Sequence, residues 1–228
     1  SHGISNIDNK FLEECIDKYD LIVLSDYQKG FISPEYIKEA ICLCNQRNVP
    51  LFVDTKIRDP EFIKNAFCIK INQIEFNKLF ESHELFNKDS INKIKEKINF
   101  IRNEFNIKNL ILTMGSKWSF LASAQELFNV KPSQVDVVDI TGAGDAYLSA
   151  IVYSFCKRNS ESEYDLDNKF LNKEDIKIAN DAASSVICKK GTVPISKEFI
   201  KSYHKNKNKS EEIIGFTNGC FDLLHLGH

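Results

Sequence analysis

The chain has 228 residues, of which 43% are hydrophobic and 27% are charged. That composition supports a folded core and excludes an intrinsically disordered chain, and the length fits one large domain or one domain with part of another. The formal net charge of -2 lacks the positive excess of a dedicated nucleic-acid-binding protein. No apolar stretch approaches the roughly 18 residues that a membrane-spanning helix needs. We therefore expect neither nucleic acid nor a membrane as a partner.

The seven cysteines are scattered along the chain and form no C-x-x-C pair. In a chain of this size, this distribution is typical of small buried hydrophobic side chains in a reducing compartment. The sequence therefore predicts a cytoplasmic protein without disulfides and without a zinc site.

Apolar and polar segments alternate in the order of strands followed by helices. Strands are predicted at residues 21–24, 51–53, 66–71 and 110–113, and helices begin at Ser33-Pro34 and near Ser90. Short strands without intervening helices follow between Trp118 and Val138, and helices are predicted at residues 144–157 and 174–189. Strands separated by helices of this length pair in parallel. The predicted fold is α/β, with a mostly parallel sheet flanked by helices.

The charged, low-complexity segment 205–212 predicts a linker. It separates a domain at residues 1–204 from the start of a second domain at residues 213–228, where a new strand begins. Because the chain has no initiator Met and stops inside a motif at His228, we expect a fragment in which both domains are truncated.

The segment from Asp139 to Asp145, DITGAGD, lies before an apolar helix. Its small residues Gly142, Ala143 and Gly144 allow a ligand to approach backbone N–H groups at the positive end of the helix dipole, which suits a phosphate. Asp145 in the first helical turn could accept the proton of an attacking hydroxyl. The alternative is a glycine-rich turn in which Asp145 is only a favourable N-terminal charge.

Polar residues also follow other predicted strands, and the carboxyl ends of strands are where ligands bind in open α/β sheets. Asn72 and Glu75 follow one strand; they are candidates for a functional site or simply a helix cap and a first-turn charge. The loops after two further strands supply candidates for substrate binding: Asp26, Lys29, Lys56 and Arg58. The three cations suit a phosphate group on the substrate. The alternative is that they are solvated charges in surface loops.

Several segments together resemble the ribokinase-like (phosphofructokinase-B) family of carbohydrate kinases. DITGAGDAYLSA resembles its C-terminal signature, NQIE from Asn72 its N-x-x-E element, and TMG from Thr113 its T-x-G turn. The resemblance implies a ribokinase-like fold that uses ATP, with Asp145 as catalytic base, Gly142, Ala143 and Gly144 as anion hole, and Asn72 and Glu75 organising Mg²⁺ through water. It also implies that Thr113, Gly115 and Asn180 lie beside the nucleotide, and that a monovalent cation such as K⁺ has a place near Asp139 and Thr141.

Two further strings point to one branch of these kinases. SDYQKG from Ser25 resembles the heptose kinases, and TNGCFDLLHLGH, with Thr217, His225 and His228, resembles the opening of the cytidylyltransferase-like nucleotidyltransferases, which have a Rossmann-like fold. The combination implies a class of bifunctional enzymes, homodimeric at full length, that phosphorylate heptose 7-phosphate at the anomeric hydroxyl and adenylylate the product to ADP-heptose for lipopolysaccharide. Two alternatives stay open: a kinase of another sugar in the same family, and a non-catalytic nucleotide-binding fragment.

Overall fold

The computed structural model describes residues 12–14, 16–27, 29–56, 58–80, 90–159 and 169–204. The predicted linker and the start of the second domain, including Thr217, His225 and His228, lie outside these residues. In the described ranges, each helix is too short or too polar to cross a membrane.

The centre of the fold is a six-stranded sheet in the order β1-β2-β3-β4-β5-β6. The strands are β1 Ile22–Ser25, β2 Leu51–Asp54, β3 Cys68–Asn72, β4 Asn109–Thr113, β5 Ser119–Ser123 and β6 Leu127–Val130. Strands β1 to β4 pair in parallel, and β5 and β6 are antiparallel additions joined by short connections. The mostly parallel sheet predicted from the sequence is therefore confirmed, as is the change to hairpins after Trp118.

Helices connect and cover the strands: α1 Pro34–Gln46, α2 Gln73–Leu79, α3 Ile91–Glu104, α4 Ala143–Asn159, α5 Lys173–Ile187 and α6 Lys197–His204. Local sequence explains where they begin. The Ser33 hydroxyl accepts a hydrogen bond from the Tyr36 N–H ahead of Pro34, and Ser90 caps α3 in the same way.

The sheet buries both of its faces. Alternate strand residues such as Leu51 and Val53 pack in one core with apolar residues of α1, α2 and α3, whereas Phe52 lies in a second core with α4 and α5. Parallel strands covered on both faces are apolar along their whole length, which explains the continuous apolar runs in the sequence. The result is a three-layer sandwich whose strand ends are open to ligands.

One predicted strand is absent from the described residues. The sequence analysis expects a strand ending near Val138, but residues 131–138 have no ladder partner, and Val137 and Val138 are exposed. The N–H groups of Val138 and Asp139 instead donate to the Ile187 carbonyl at the end of α5. The strand predicted up to Val138 is therefore wrong, because the backbone there is hydrogen-bonded to the end of a helix and not to a neighbouring strand.

Candidate functional site

Strands β1 to β4 all end at the same edge of the sheet, which we call the carboxyl edge. Asp26 directly follows β1, Asp54 ends β2, Asn72 ends β3 and Thr113 ends β4. The register places Asp54 between Ser25 and Lys70 on adjacent strands. The topology thus collects the polar residues that the sequence scatters over almost 90 positions.

Helix α4 begins at this edge with the DITGAGD turn. Gly142 has a φ of +80°, a left-handed conformation that glycine adopts without strain, and its carbonyl accepts from the Ala146 N–H at 2.9 Å. Asp145 in the first turn is half-buried, and one of its carboxylate oxygens, Oδ1, accepts a hydrogen bond from the Tyr27 hydroxyl at 2.7 Å. The acid therefore faces the end of β1 and is not buried in the hydrophobic core.

The three expected anion-hole residues differ in how their amides are used. The Ala143 N–H donates to the Ile140 carbonyl at 3.2 Å, which closes the turn before α4. Gly144 is exposed, and its N–H has no hydrogen-bond acceptor in the part of the chain that the structure describes. Gly144 is therefore better placed than Ala143 to offer its N–H to a phosphate at the positive end of the helix dipole.

A lysine that the sequence analysis did not single out lies beside this amide. The Lys70 ammonium is 3.4 Å from the position that a Cβ on Gly144 would occupy, and it forms an ion pair of 2.5 Å with Asp54 Oδ2. Both side chains are largely buried, at 6% and 16% exposure. The signal was a charged residue inside the otherwise apolar strand CIKI, because a buried lysine requires a partner.

Asn72 and Glu75 form a reciprocal cap at the start of α2. The Asn72 carboxamide oxygen accepts from the Glu75 N–H at 2.9 Å, and Glu75 Oε2 accepts from the Asn72 N–H at 2.8 Å. Burial raises the pKa of Glu75 above its ordinary value; the Asn72 N–H lowers it, the Asp54 charge raises it, and the Lys70 and Lys56 charges lower it. The capping role is present in the structure, and the carboxylate also lies in the electrostatic field of the Asp54–Lys70 pair.

The donor set at the carboxyl edge is chemically suited to Mg²⁺. Within the described ranges, no three His, Cys, Asp or Glu side chains converge into a metal cage. Mg²⁺ usually binds proteins through one or two carboxylates and completes its shell with water and substrate phosphates. Glu75 supplies one such carboxylate at this edge, with the Asn72 carboxamide beside it.

Asp139 joins the start of α4 to the segment after α5. Its Oδ1 accepts from the Thr141 N–H at 2.9 Å and its Oδ2 from the Gly191 N–H at 3.0 Å. The hydrogen bonds from Thr141, followed by that from Gly191, hold the pKa of Asp139 below its ordinary value. These bonds favour the ionised form of Asp139 at the place where the sequence analysis expects a monovalent cation.

The residues expected beside the nucleotide have different surroundings. Thr113 lies next to Asn72 in the strand register, and Gly115 adopts a left-handed φ of +56° in the exposed turn before β5. Asn180 of α5 is buried: its carboxamide oxygen accepts from the Ser119 hydroxyl at 2.7 Å, while its Nδ2 has no partner among the described residues. Thr113 and Gly115 therefore lie at the carboxyl edge, and Asn180 lies under the beginning of β5.

The candidate substrate residues also lie in the loops of this edge. Asp26 is half-buried and Thr55 Oγ1 lies 3.5 Å from its Oδ2, whereas Lys29, Lys56 and Arg58 are exposed. Lys56 is close enough to Glu75 to affect its ionisation. The structure thus places the long cationic side chain of Lys56 at the same edge as Asp145.

Curated proteins similar to this chain include the bifunctional protein HldE from a Marinomonas species, which is 32% identical over 241 residues. The match covers 96% of this chain and 47% of that protein. The bifunctional protein HldE of Campylobacter jejuni is 30% identical over 232 residues, with 95% and 47% covered. The chain therefore spans about half the length of the curated relatives it matches.

Solved structures agree on the fold. Phosphofructokinase-2 from Escherichia coli, crystallised in complex with potassium, has a TM-score of 0.67 at 19% identity, covering 86% of this chain and 61% of that one. Ribokinase from Arabidopsis thaliana, complexed with ribose and ATP, has a TM-score of 0.63 at 20% identity, covering 86% and 59%. These similarities confirm the ribokinase-like fold. The pattern of the pfkB family carbohydrate kinases matches residues 4–198, and the chain belongs to this family.

Proposed function

We propose that this chain is the kinase part of a bifunctional enzyme and transfers the γ-phosphoryl group of ATP to the anomeric hydroxyl of D-glycero-D-manno-heptose 7-phosphate. The observation that supports it most is that Gly144 and Asp145 lie in the first turn of α4, with the Lys70 ammonium beside Gly144. A base, an anion donor and a cation at one helix start are what phosphoryl transfer to a hydroxyl requires.

In this mechanism Asp145 accepts the proton of the sugar hydroxyl as its oxygen attacks the γ-phosphorus of ATP. The bond from that phosphorus to the β,γ-bridging oxygen breaks, and ADP leaves with the electron pair. The Gly144 N–H and the dipole of α4 stabilise the negative charge on the transferred group. Lys70, held by Asp54 at 2.5 Å, adds a fixed positive charge next to that amide.

Asn72 and Glu75 would hold Mg²⁺ through water, with the cap at the start of α2 keeping both side chains in place. When bound, the ion neutralises charge on the β- and γ-phosphates of ATP. Thr113, Gly115 and Asn180 would contact the nucleotide, and a K⁺ ion would bind near Asp139 and Thr141. We propose that Asp26, Lys29, Lys56 and Arg58 recognise the sugar phosphate.

The choice of heptose rests on the sequence strings. Tyr27 of the SDYQKG string lies after β1 and contacts Asp145. The tail with Thr217, His225 and His228 supports a second, adenylyltransferase activity in the full-length protein, and the matched relatives are named bifunctional proteins. We accordingly propose a role in ADP-heptose synthesis for lipopolysaccharide, in the cytoplasm, as a homodimer at full length.

A panel of sugar phosphates tests the substrate. The full-length protein is incubated with ATP, Mg²⁺ and heptose 7-phosphate, fructose 6-phosphate, ribose 5-phosphate or ribose, and ADP release is measured. We expect the highest kcat/KM with heptose 7-phosphate. A preference for a non-heptose sugar refutes the proposed substrate but is consistent with the proposed kinase activity. ATP binding by calorimetry without transfer to any sugar overturns the kinase activity and supports a nucleotide-binding fragment instead.

A further inference from the structure

A phenol hydrogen bond connects two parts of the candidate site that are far apart in sequence. The Tyr27 hydroxyl donates to Asp145 Oδ1 at 2.7 Å across a sequence separation of 118 residues. Tyr27 lies two residues beyond β1, whereas Asp145 lies in the first turn of α4. This bond therefore joins the segment that carries candidate sugar-binding residues to the helix that would bind the γ-phosphate.

The backbone that presents Tyr27 is held in place by the neighbouring strand. The N–H of Asp26 donates to the Asp54 carbonyl at 2.8 Å, which extends the ladder between β1 and β2 by one residue. Asp54 is in turn paired with Lys70 beside Gly144. The segment that carries the phenol and the Lys70 ammonium are therefore both held by Asp54 of β2.

The partner of the phenol is an acid that needs one defined orientation. A carboxylate side chain has rotamer freedom, and Asp145 is only half-buried, so a directed hydrogen bond helps to fix its orientation. A hydrogen bond to a charged acceptor is stronger than one between neutral groups. The bond from Tyr27 to Asp145 is partly buried. Misplacing a reacting group by about 1 Å lowers rates by up to about 10².

We propose that Tyr27 is a positioning residue that holds the Asp145 carboxylate towards the sugar hydroxyl, and that it couples the segment after β1 to the orientation of the base. This role rests on the proposed function of Asp145. The phenol keeps its own proton throughout, so the balance of the transfer is unchanged: the hydroxyl proton goes to Asp145 and the phosphoryl group goes to the sugar oxygen.

The first test replaces the hydroxyl alone. Tyr27→Phe in the full-length protein should lower kcat about 10-fold with the preferred sugar phosphate while the KM for ATP changes less than about 2-fold. The matched control is Tyr19→Phe, the same change at a tyrosine that is 58% exposed, which should leave both constants unchanged. Thermal melting of each variant checks that the fold is retained.

The second test is a double-mutant cycle, which a merely structural role would not satisfy. If Tyr27 acts through Asp145, then adding Tyr27→Phe to Asp145→Asn causes no further loss of kcat. An equal 10-fold loss in both backgrounds overturns the positioning role, as does a Tyr27→Phe variant with unchanged kcat.

The cycle also separates this inference from the proposed function. A wild-type protein that phosphorylates no sugar, or an Asp145→Asn variant with unchanged kcat, refutes the proposed function and the positioning role with it. A large loss in Asp145→Asn together with an unchanged Tyr27→Phe refutes the positioning role alone.

Discussion

The two edges of the parallel sheet use charged side chains in opposite ways. At the carboxyl edge, Lys70 and Asp54 are largely buried and paired with each other beside the start of α4. At the other edge, which we call the amino edge, Lys38 and Lys64 are exposed and line an open cavity of about 780 Å³. This cavity does not include the buried ion pair among its lining residues.

Helix direction explains much of this difference. Helices α2 and α4 begin at the carboxyl edge, so their N–H groups and positive dipole ends favour anions there. Helices α1 and α3 end at the amino edge, where Asn48 and Asn106 have left-handed φ angles of 55° and 48°. In the last turn of α3, Arg102 complements the exposed carbonyl groups of the helix end. The comparison teaches that the two edges differ in how charge is handled: the carboxyl edge buries a compensated pair, and the amino edge leaves Lys38 and Lys64 exposed.

The largest expected effect comes from breaking the buried ion pair at the carboxyl edge. Removal of an exposed lysine at the amino edge is the control. Lys70→Met leaves Asp54 without its partner in a largely buried place and should lower the free energy of unfolding by about 3 kcal/mol. Lys38→Met makes the same change at the amino edge, where the cation is exposed, and should stay within about 0.5 kcal/mol. Urea denaturation of both variants measures the difference, and equal losses would remove the distinction between the edges.

A smaller effect is expected from the turn that opens α4. Gly142→Ala forces an L residue into a φ of +80° and should cost about 1–2 kcal/mol, although its Cβ would have ordinary contact with Thr192 at 3.5 Å. Gly144→Ala is the matched control, because this residue is helical and alanine raises helix propensity there by up to about 1 kcal/mol. Thermal melting compares the two, and a Gly142→Ala variant as stable as Gly144→Ala would refute the strained turn.

The smallest expected effect is on how the free energy of unfolding depends on pH through Glu75. Because the pKa of Glu75 is raised in the folded protein, wild-type stability falls as pH rises from the ordinary value of 4.5 through the raised value. Glu75→Gln does not titrate and should be more stable than wild type above this window, with the difference shrinking towards pH 4. Urea midpoints at several pH values measure it. A difference that is constant with pH would show that Glu75 carries no such penalty.

The sequence predicted the strands and most helices because each depends on local patterns. Ser33 and Pro34 indicate a helix start, and the apolar run of β2 indicates a buried strand wherever it lies in the sheet. The strand expected near Val138 was wrong because the acceptor of its backbone N–H is Ile187 of α5, which no local pattern reveals.

The contacts within the candidate site could not be predicted for the same reason. Pairing of Asp54 with Lys70 depends on the register between β2 and β3, and the bond from Tyr27 to Asp145 depends on how α4 packs over the sheet. The functional roles of Asp145, Asn72 and Glu75 remain predictions from motifs. The structure adds that Asn72 and Glu75 also cap α2, and that the Ala143 N–H is already hydrogen-bonded.

The central claim is that the Asp145 carboxylate removes the proton of the sugar hydroxyl, and the kcat of Asp145→Asn in the full-length protein tests it most directly. With ATP, Mg²⁺ and the preferred sugar phosphate, we predict a fall in kcat on the order of 10² or more. ATP binding by calorimetry should stay close to the wild-type value. A kcat close to wild type would contradict the account and remove Asp145 from the mechanism.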